Sequence, residues 1–270
     1  MPRQLPTRKI ERNAMLIPRI IPCLLMNNGA MVKTRRFARP TYLGAPVNVV
    51  SLFNDFEVDE IVLLDIGASV SGRPPDFDLI SELTEECWVP LSYGGGIRTL
   101  GHIEKLIRAG CEKVILGTAA NELDIVSMAA REFGTQAVVG SVDAKRKLLG
   151  GYEARMFSGR RSLGTTPATL AARLAEEGAG EILLQSIDRD GEMTGYDLSL
   201  IRSVTTAVNI PIVACGGAAN RADLARPILE AGASAAAAGS LFVFSGPERG
   251  VVINFPDRPY LENLLLRGAP

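Results

Sequence analysis

The chain has 270 residues, 47% of them hydrophobic and 22% charged, so it can bury a sizeable core behind a soluble surface. Its net charge of −1 gives no bulk electrostatic case for nucleic acid or a membrane, and no apolar run reaches the roughly 18 residues of a membrane span. Four dispersed cysteines without CxxC spacing read as reduced thiols of a cytoplasmic protein, and the single histidine, His102, excludes a two-histidine metal site. The chemistry is therefore expected to rest on carboxylates, lysine, hydroxyls and backbone amides, with no metal or organic cofactor.

Residues 1–15 are basic but lack the apolar core of a signal peptide; they read as a loose extension, with Met15 an alternative start. Residues 20–25 form a continuous apolar run, the pattern of a strand covered on both faces. Residues 27–46 are polar, carry Gly29, Lys33, Arg35, Arg36 and Arg39, and read as a long functional loop. Residues 46–56 have helical spacing, with Pro46 suited to a first turn. A second strand is expected over 59–66, a helix over 76–87 and a third strand over 89–93. Thr99 is placed to cap the next helix and Gly110 to end it. Further strands are expected over 112–116, 136–143, 181–186, 210–215 and 233–238, and helices over 122–133, 167–177, 198–208 and 222–231. Residues 145–157 read as a hairpin-like excursion around Gly150-Gly151, 188–195 as a loop, and 260–266 as a last helix.

Eight buried strands alternating with amphipathic helices mean parallel βα units, and in about 250 residues they fit a closed (β/α)8 barrel better than an open sheet. No linker divides the chain, so residues 16–270 read as one domain. It is built from two similar halves. Pro90 stands as far from Gly95 as Pro211 does from Gly216, and Gly110 as far from Gly117 as Gly232 from Gly239. Gly117 is followed by Thr118, and Gly239 by Ser240.

In such barrels the site lies at the carboxyl ends of the strands, where glycine lets the backbone approach an anion. The paired turns predict two phosphate sites on opposite sides of the mouth. One would use Gly95, Gly96 and Thr118; the other Gly216, Gly217, Gly239 and Ser240. Two such sites suit an elongated ligand with a phosphate at each end.

On residues 19–23, 59–65, 94–97, 118–120, 142–145, 180–184, 186–191 and 216–218 the sequence resembles the HisF-like family, the cyclase subunit of imidazole glycerol phosphate synthase. The resemblance implies a barrel subunit of a glutamine amidotransferase complex, a lyase-type cyclase that receives ammonia from a separate HisH-like glutaminase. Ammonia then passes along the barrel to a bisphosphorylated intermediate of histidine biosynthesis. The resemblance places an entrance gate on Arg19, Glu60, Lys113 and Glu181. It also implies catalytic roles at the mouth for Asp143, Lys33, Asp65 and Asp190, and adds Gly191 to the second phosphate set.

The departures concentrate at the mouth. The family uses two carboxylates as general acid and base, at the ends of strands one and five. The second is Asp143, but the first position falls on Leu25, which can neither give nor take a proton. Placed proton transfer contributes roughly 10²–10⁴ in rate. Gly117, Gln185 and Cys215 also stand where the family usually has asparagine, threonine and serine.

Three readings follow from the resemblance. The chain could deliver ammonia to another phosphorylated or sugar acceptor, as related paralogues do in acetamidino-sugar formation for surface polysaccharide, alongside a third, synthetase-like protein. It could be a cyclase of histidine biosynthesis whose missing acid is replaced. It could be a non-catalytic conduit.

Overall fold

The computed structural model describes residues 17–118 and 123–267. The extension expected over 1–15 lies outside the described residues. Eight parallel strands form the barrel: β1 (Arg19–Asn27), β2 (Ile61–Asp65), β3 (Leu91–Gly94), β4 (Lys113–Leu116), β5 (Val138–Arg146), β6 (Glu181–Ser186), β7 (Ile212–Cys215) and β8 (Ala235–Ala238). Each pairs with its successor, and β8 closes the ring on β1 through Arg19↔Ala235 to Pro22↔Ala238. The closed (β/α)8 barrel expected from the alternation is what the chain adopts.

Around it lie α1 (Pro46–Asp55), α2 (Phe77–Glu86), α3 (Leu100–Arg108), α4 (Leu123–Phe133), α5 (Pro167–Glu176), α6 (Leu198–Thr205), α7 (Arg226–Ala231) and α8 (Arg258–Arg267). Their starts are chemically marked. Asp76 accepts from the Leu79 amide, Thr99 from His102, Thr166 from Thr169 and Asp197 from Leu200. Each cap satisfies a donor that a helix start otherwise leaves unpaired, a contribution of about 1 kcal/mol. The inner face of α1 buries Val49, Val50 and Phe53 against the barrel. Phe53 is fully enclosed, so Phe53→Ala should cost about 3–5 kcal/mol.

Alternation along the strands divides the core in two. One set of side chains packs outward under the helices, among them Ile20, Leu24, Leu63, Tyr93 and Leu184. The other fills the barrel itself: Ile21, Cys23, Leu25, Val62, Leu64, Ile115, Val139, Leu183, Val213, Cys215, Ala235 and Ala237. The period of two thus assigns Arg19, Glu60, Lys113 and Glu181 to the interior at the amino-terminal end, and Leu25, Asp143 and Gln185 to the interior at the carboxyl-terminal end.

Three expectations are corrected. Residues 27–46 are not a loop but a β-hairpin, Ala30–Arg35 with Ala38–Gly44, whose first strand pairs antiparallel with the end of β1 through Leu25↔Val32 and Asn27↔Ala30. Buried Met31 and Val32 among polar neighbours carry that strand. The helix expected over 198–208 ends at Thr205, where the Thr205 hydroxyl donates to the Ala231 carbonyl and that of Thr206 to Arg202. The helix expected over 222–231 is a 3-10 turn, Arg221–Ala225, followed by α7. Pro227 sits in the first turn of α7, where its missing N–H interrupts nothing.

Candidate active site

At the amino-terminal end of the barrel four charges close a ring. Arg19 donates to Glu60 and to Glu181, and Lys113 Nζ lies 3.0 Å from a carboxylate oxygen of each. Each carboxylate therefore bridges two cations. Ser92 completes the set by donating to Glu60 Oε1 at 2.6 Å. Glu60 and Glu181 are almost wholly buried, and ions so placed are tolerable only because both are paired. Burial alone would lower the Arg19 pKa, but its bonds to Glu181 and Glu60 outweigh that and raise it.

At the opposite end two cavities open side by side. The larger, about 760 Å³ with its open mouth included, is lined by Asp65, Gly95, Gly96, Thr118, Ser141 and Asp143 among apolar walls from Leu64, Ile66, Ile97, Ile115 and Phe37. The second, about 370 Å³, is lined by Lys33, Asp190, Gly191, Gly216, Gly217, Gly239 and Ser240. Leu25 and Gln185 line both and form the partition between them. The two glycine sets predicted from the sequence therefore fall on separate cavities that share a wall.

The glycines at these turns are required by space. A Cβ on Gly95 (φ +123) would run into the Asp65 carbonyl oxygen, and one on Gly217 (φ +115) into that of Gly195. Both angles also lie where a side chain is strained. The mouth is roofed by the hairpin after β5. There Phe157 and Ser158 take left-handed backbone angles, the Phe157 amide donates to Thr118 Oγ1 at 3.1 Å, and Ser158 Oγ donates to the Ile66 carbonyl.

Three carboxyl groups line the two cavities, and their surroundings separate their chemistry. Asp65 Oδ1 accepts from the amides of Gly67 and Ala68, both at 3.0 Å, with Arg73 3.7 Å from the other oxygen. It holds the turn that starts Ala68–Ser71. Asp190 is ion-paired with Lys33 at 2.5 Å and accepts from Thr34 Oγ1 and the Phe37 amide, tying the hairpin after β1 to the loop after β6. Asp143 has no cation partner among the described residues. Its side-chain partner among the described residues is Gln185, whose Nε2 donates to Oδ1 at 3.4 Å. Deep placement pushes the Asp143 pKa up to about 7, with the negative charge of Asp190 adding to the effect. A carboxyl group that titrates near neutrality can both take and give a proton at working pH.

Leu25 stands on the neighbouring wall, 5% exposed, with its side chain toward the barrel interior. The expected residues are thus gathered in three places: the ring, the Asp143 cavity, and the Lys33–Asp190 cavity. Sequence reading missed Ser92 as a member of the ring, although its inward parity on β3 was a usable signal. It also missed the Thr34 and Phe37 contacts to Asp190, because residues 27–46 gave no strand pattern to place them.

The model of the histidine biosynthesis protein family matches residues 19–246. The putative imidazole glycerol phosphate synthase subunit hisF2 of Pseudomonas aeruginosa is 45% identical over 88% of this chain and 96% of its own length. The putative imidazole glycerol phosphate synthase subunit HisF of Leptospira interrogans is 43% identical over 93% and 99%. The imidazole glycerol phosphate synthase subunit HisF of Alkaliphilus metalliredigens is 42% identical over 86% and 92%.

Proposed function

Because the chain belongs to the histidine biosynthesis protein family, among the HisF-type imidazole glycerol phosphate synthase subunits, we propose that it takes ammonia from a HisH-like glutaminase and adds it to an acceptor other than the cyclase substrate. The acceptor is a phosphorylated or sugar compound, and the product an acetamidino sugar of surface polysaccharide, formed with a third, synthetase-like protein. The observation that carries this reading is the pairing of an intact charge ring with a mouth where, among the described residues, Asp143 has no cation partner. Two cations and two anions make the ring neutral, and beyond it the barrel interior is apolar. Such a path suits neutral ammonia and rejects ammonium, whose charge would go unsolvated.

At the mouth, ammonia attacks the amide carbon of an acetamido group whose oxygen the synthetase-like protein has activated. The C–N bond forms, the C–O bond breaks, the oxygen leaves with its activating group, and the attacking nitrogen must shed a proton. Asp143, ionised in part at neutral pH, is the group that takes it, and Gln185 positions the carboxyl oxygen. Ring closure in the family's own reaction calls on a second carboxylate, and Leu25 offers none. Lys33 and the turns at Gly191, Gly216, Gly217, Gly239 and Ser240 bind one anionic end of the acceptor. Gly95, Gly96 and Thr118 bind the other.

One observation favours a second reading. A glycine turn is present on each of the two cavities, as a cyclase of histidine biosynthesis with a doubly phosphorylated ligand would need. Introducing the gene into a strain lacking its own cyclase separates the two. Growth without histidine supports the cyclase reading, and failure to grow, with the protein expressed and folded, supports the amidation reading.

A further inference from the structure

Three arginines converge on the wall of the second cavity, which Asp190 and Gly191 help to form. Arg249 lies in the turn between the short strands Phe244–Ser245 and Gly250–Val251, over the Phe244 ring, and donates from Nη2 to the Gly191 carbonyl at 2.8 Å. Arg35 packs on Gly191 so closely that a Cβ there would run into it. Arg36 donates its amide to the Asp190 carbonyl at 2.8 Å. All three surround Glu192. Arg35 Nη2 and Arg36 Nε lie 3.1 and 3.3 Å from its carboxylate oxygens. The Arg35 hydrogen bond, aided by the charges of Arg35, Arg36 and Arg249, holds the Glu192 pKa below the usual carboxylate value.

The rim so formed carries more positive charge than it neutralises. Beneath it Lys33 and Asp190 cancel as an ion pair, which leaves three cations against Glu192. Counting the chain neighbours Asp188, Arg189 and Glu248 reduces the excess from two charges to one and does not remove it. Arg35 and Arg36 each meet Glu192 through one nitrogen, and Arg249 meets Gly191 through one; their other guanidinium nitrogens have no partner among the described residues. Arg36 (φ +51) and Arg249 (φ +52) also occupy left-handed backbone that glycine would adopt at less cost, so the turns themselves do not call for arginine. Inside the cavity the buried Ser240 hydroxyl likewise has no partner among the described residues.

We propose that the anionic end bound at the second cavity is a diphosphate. Its inner phosphate lies on the turns at Gly216, Gly217, Gly239 and Ser240, and its outer phosphate leaves the cavity past Gly191 onto Arg35, Arg36 and Arg249. The acceptor is accordingly a diphosphate ester, with the group beyond the outer phosphate directed into solvent. None of the three arginines lines the cavity itself; they stand at its edge, one residue beyond the wall. A single phosphate would be held inside by the turns and the Ser240 hydroxyl, and would leave the rim cations with nothing to bind. Guanidinium groups suit the outer position because their forked donors match phosphate oxygens. The inference rests on the reading that the second glycine set holds one anionic end of the acceptor, and is independent of the reaction at Asp143.

The test is titration calorimetry of the full-length chain at about 50 mM salt with inorganic phosphate, inorganic pyrophosphate, and the diphosphate esters ADP and UDP. Pyrophosphate and both esters are expected to bind about tenfold or more tighter than phosphate, in competition with it. Changing Arg35 and Arg36 together to glutamine should cost pyrophosphate and the esters about tenfold while phosphate stays within about twofold. Glu192→Gln should strengthen pyrophosphate binding about threefold, a gain that misfolding cannot imitate. Arg108→Gln, exposed at the far end of the barrel, should alter neither. Pyrophosphate no tighter than phosphate, or an arginine variant that weakens both alike, overturns the proposal and leaves the phosphate turns standing. Tight pyrophosphate with esters no better than phosphate overturns the ester. Binding of no anion at all overturns the phosphate reading of the turns and the proposal with it.

Discussion

Asp143 is where the proposed chemistry can be weighed in energy. Its carboxyl group is pushed up to about 7 from an ordinary 3.8, because the ionised form is held away from water and near Asp190. Between those two values the folded protein binds a proton that the unfolded chain does not, so stability falls as pH rises from about 4 to about 7 and then levels. At 1.36 kcal/mol per pH unit this corresponds to roughly 4 kcal/mol. The substitution Asp143→Asn removes the charge while keeping the shape. The variant should therefore match the parent near pH 4 and exceed its stability at pH 9 by up to about 4 kcal/mol, about 3 of which falls between pH 4.5 and pH 9. Urea unfolding of both proteins at several pH values reads the difference, in which the titrating groups that do not interact with Asp143 cancel. Activity should move the opposite way, falling by about 10²–10⁴. A stability difference that stays flat from pH 4.5 to pH 9 would refute the recessed environment assigned to Asp143, which is half-buried and has no cation partner among the described residues. Full activity in the variant would instead favour a non-catalytic conduit.

Further outcomes follow from the same geometry. Lys113→Ala leaves Glu60 and Glu181 sharing Arg19 alone, so stability should drop by roughly 3–5 kcal/mol. With the glutaminase present, glutamine-dependent amidation should fall at least tenfold relative to amidation driven by added ammonium salt; an unchanged ratio contradicts the gate. Gly217→Ala forces a Cβ onto the Gly195 carbonyl at φ +115, and should weaken binding of a phosphorylated ligand along with stability, measured by calorimetry and urea unfolding. Leu25→Asp places a carboxylate at the partition between the two cavities. It should lower stability by about 1–3 kcal/mol and raise any trace of imidazole glycerol phosphate formation by about 10² or more, read in an ammonium-dependent assay.

The barrel was legible because its signals are physical and repeated. Continuous apolar runs such as 20–25 and 61–64 read as strands covered on both faces, and Thr99 and Gly110 bracket α3 with a cap and a left-handed exit. The glycine pairs carried their own position, since each ends a strand and must leave room for backbone. What escaped was held by long-range contacts. The hairpin over residues 30–44 is exposed on its outer strand, and its tie to Asp190 through Lys33 and Thr34 joins residues over 150 positions apart. The ring could be suspected from four charges at strand starts. Its closure depends on strand stagger, which sequence alone leaves free, and so does the inclusion of Ser92. The separate surroundings of Asp65, Asp143 and Asp190 were equally hidden, because three aspartates near strand ends look alike until their partners are known.

The central claim is that this barrel keeps the ammonia path and has given up the cyclase reaction at Leu25. The most direct measurement incubates the purified chain with ammonium salt and the bisphosphorylated ribulosyl intermediate of histidine biosynthesis, and follows imidazole glycerol phosphate. The account predicts formation at least about 10²-fold slower than by a relative with a carboxylate at that position, in line with the loss of one placed acid or base. A rate equal to that relative's would contradict it and make the chain a cyclase in its own right.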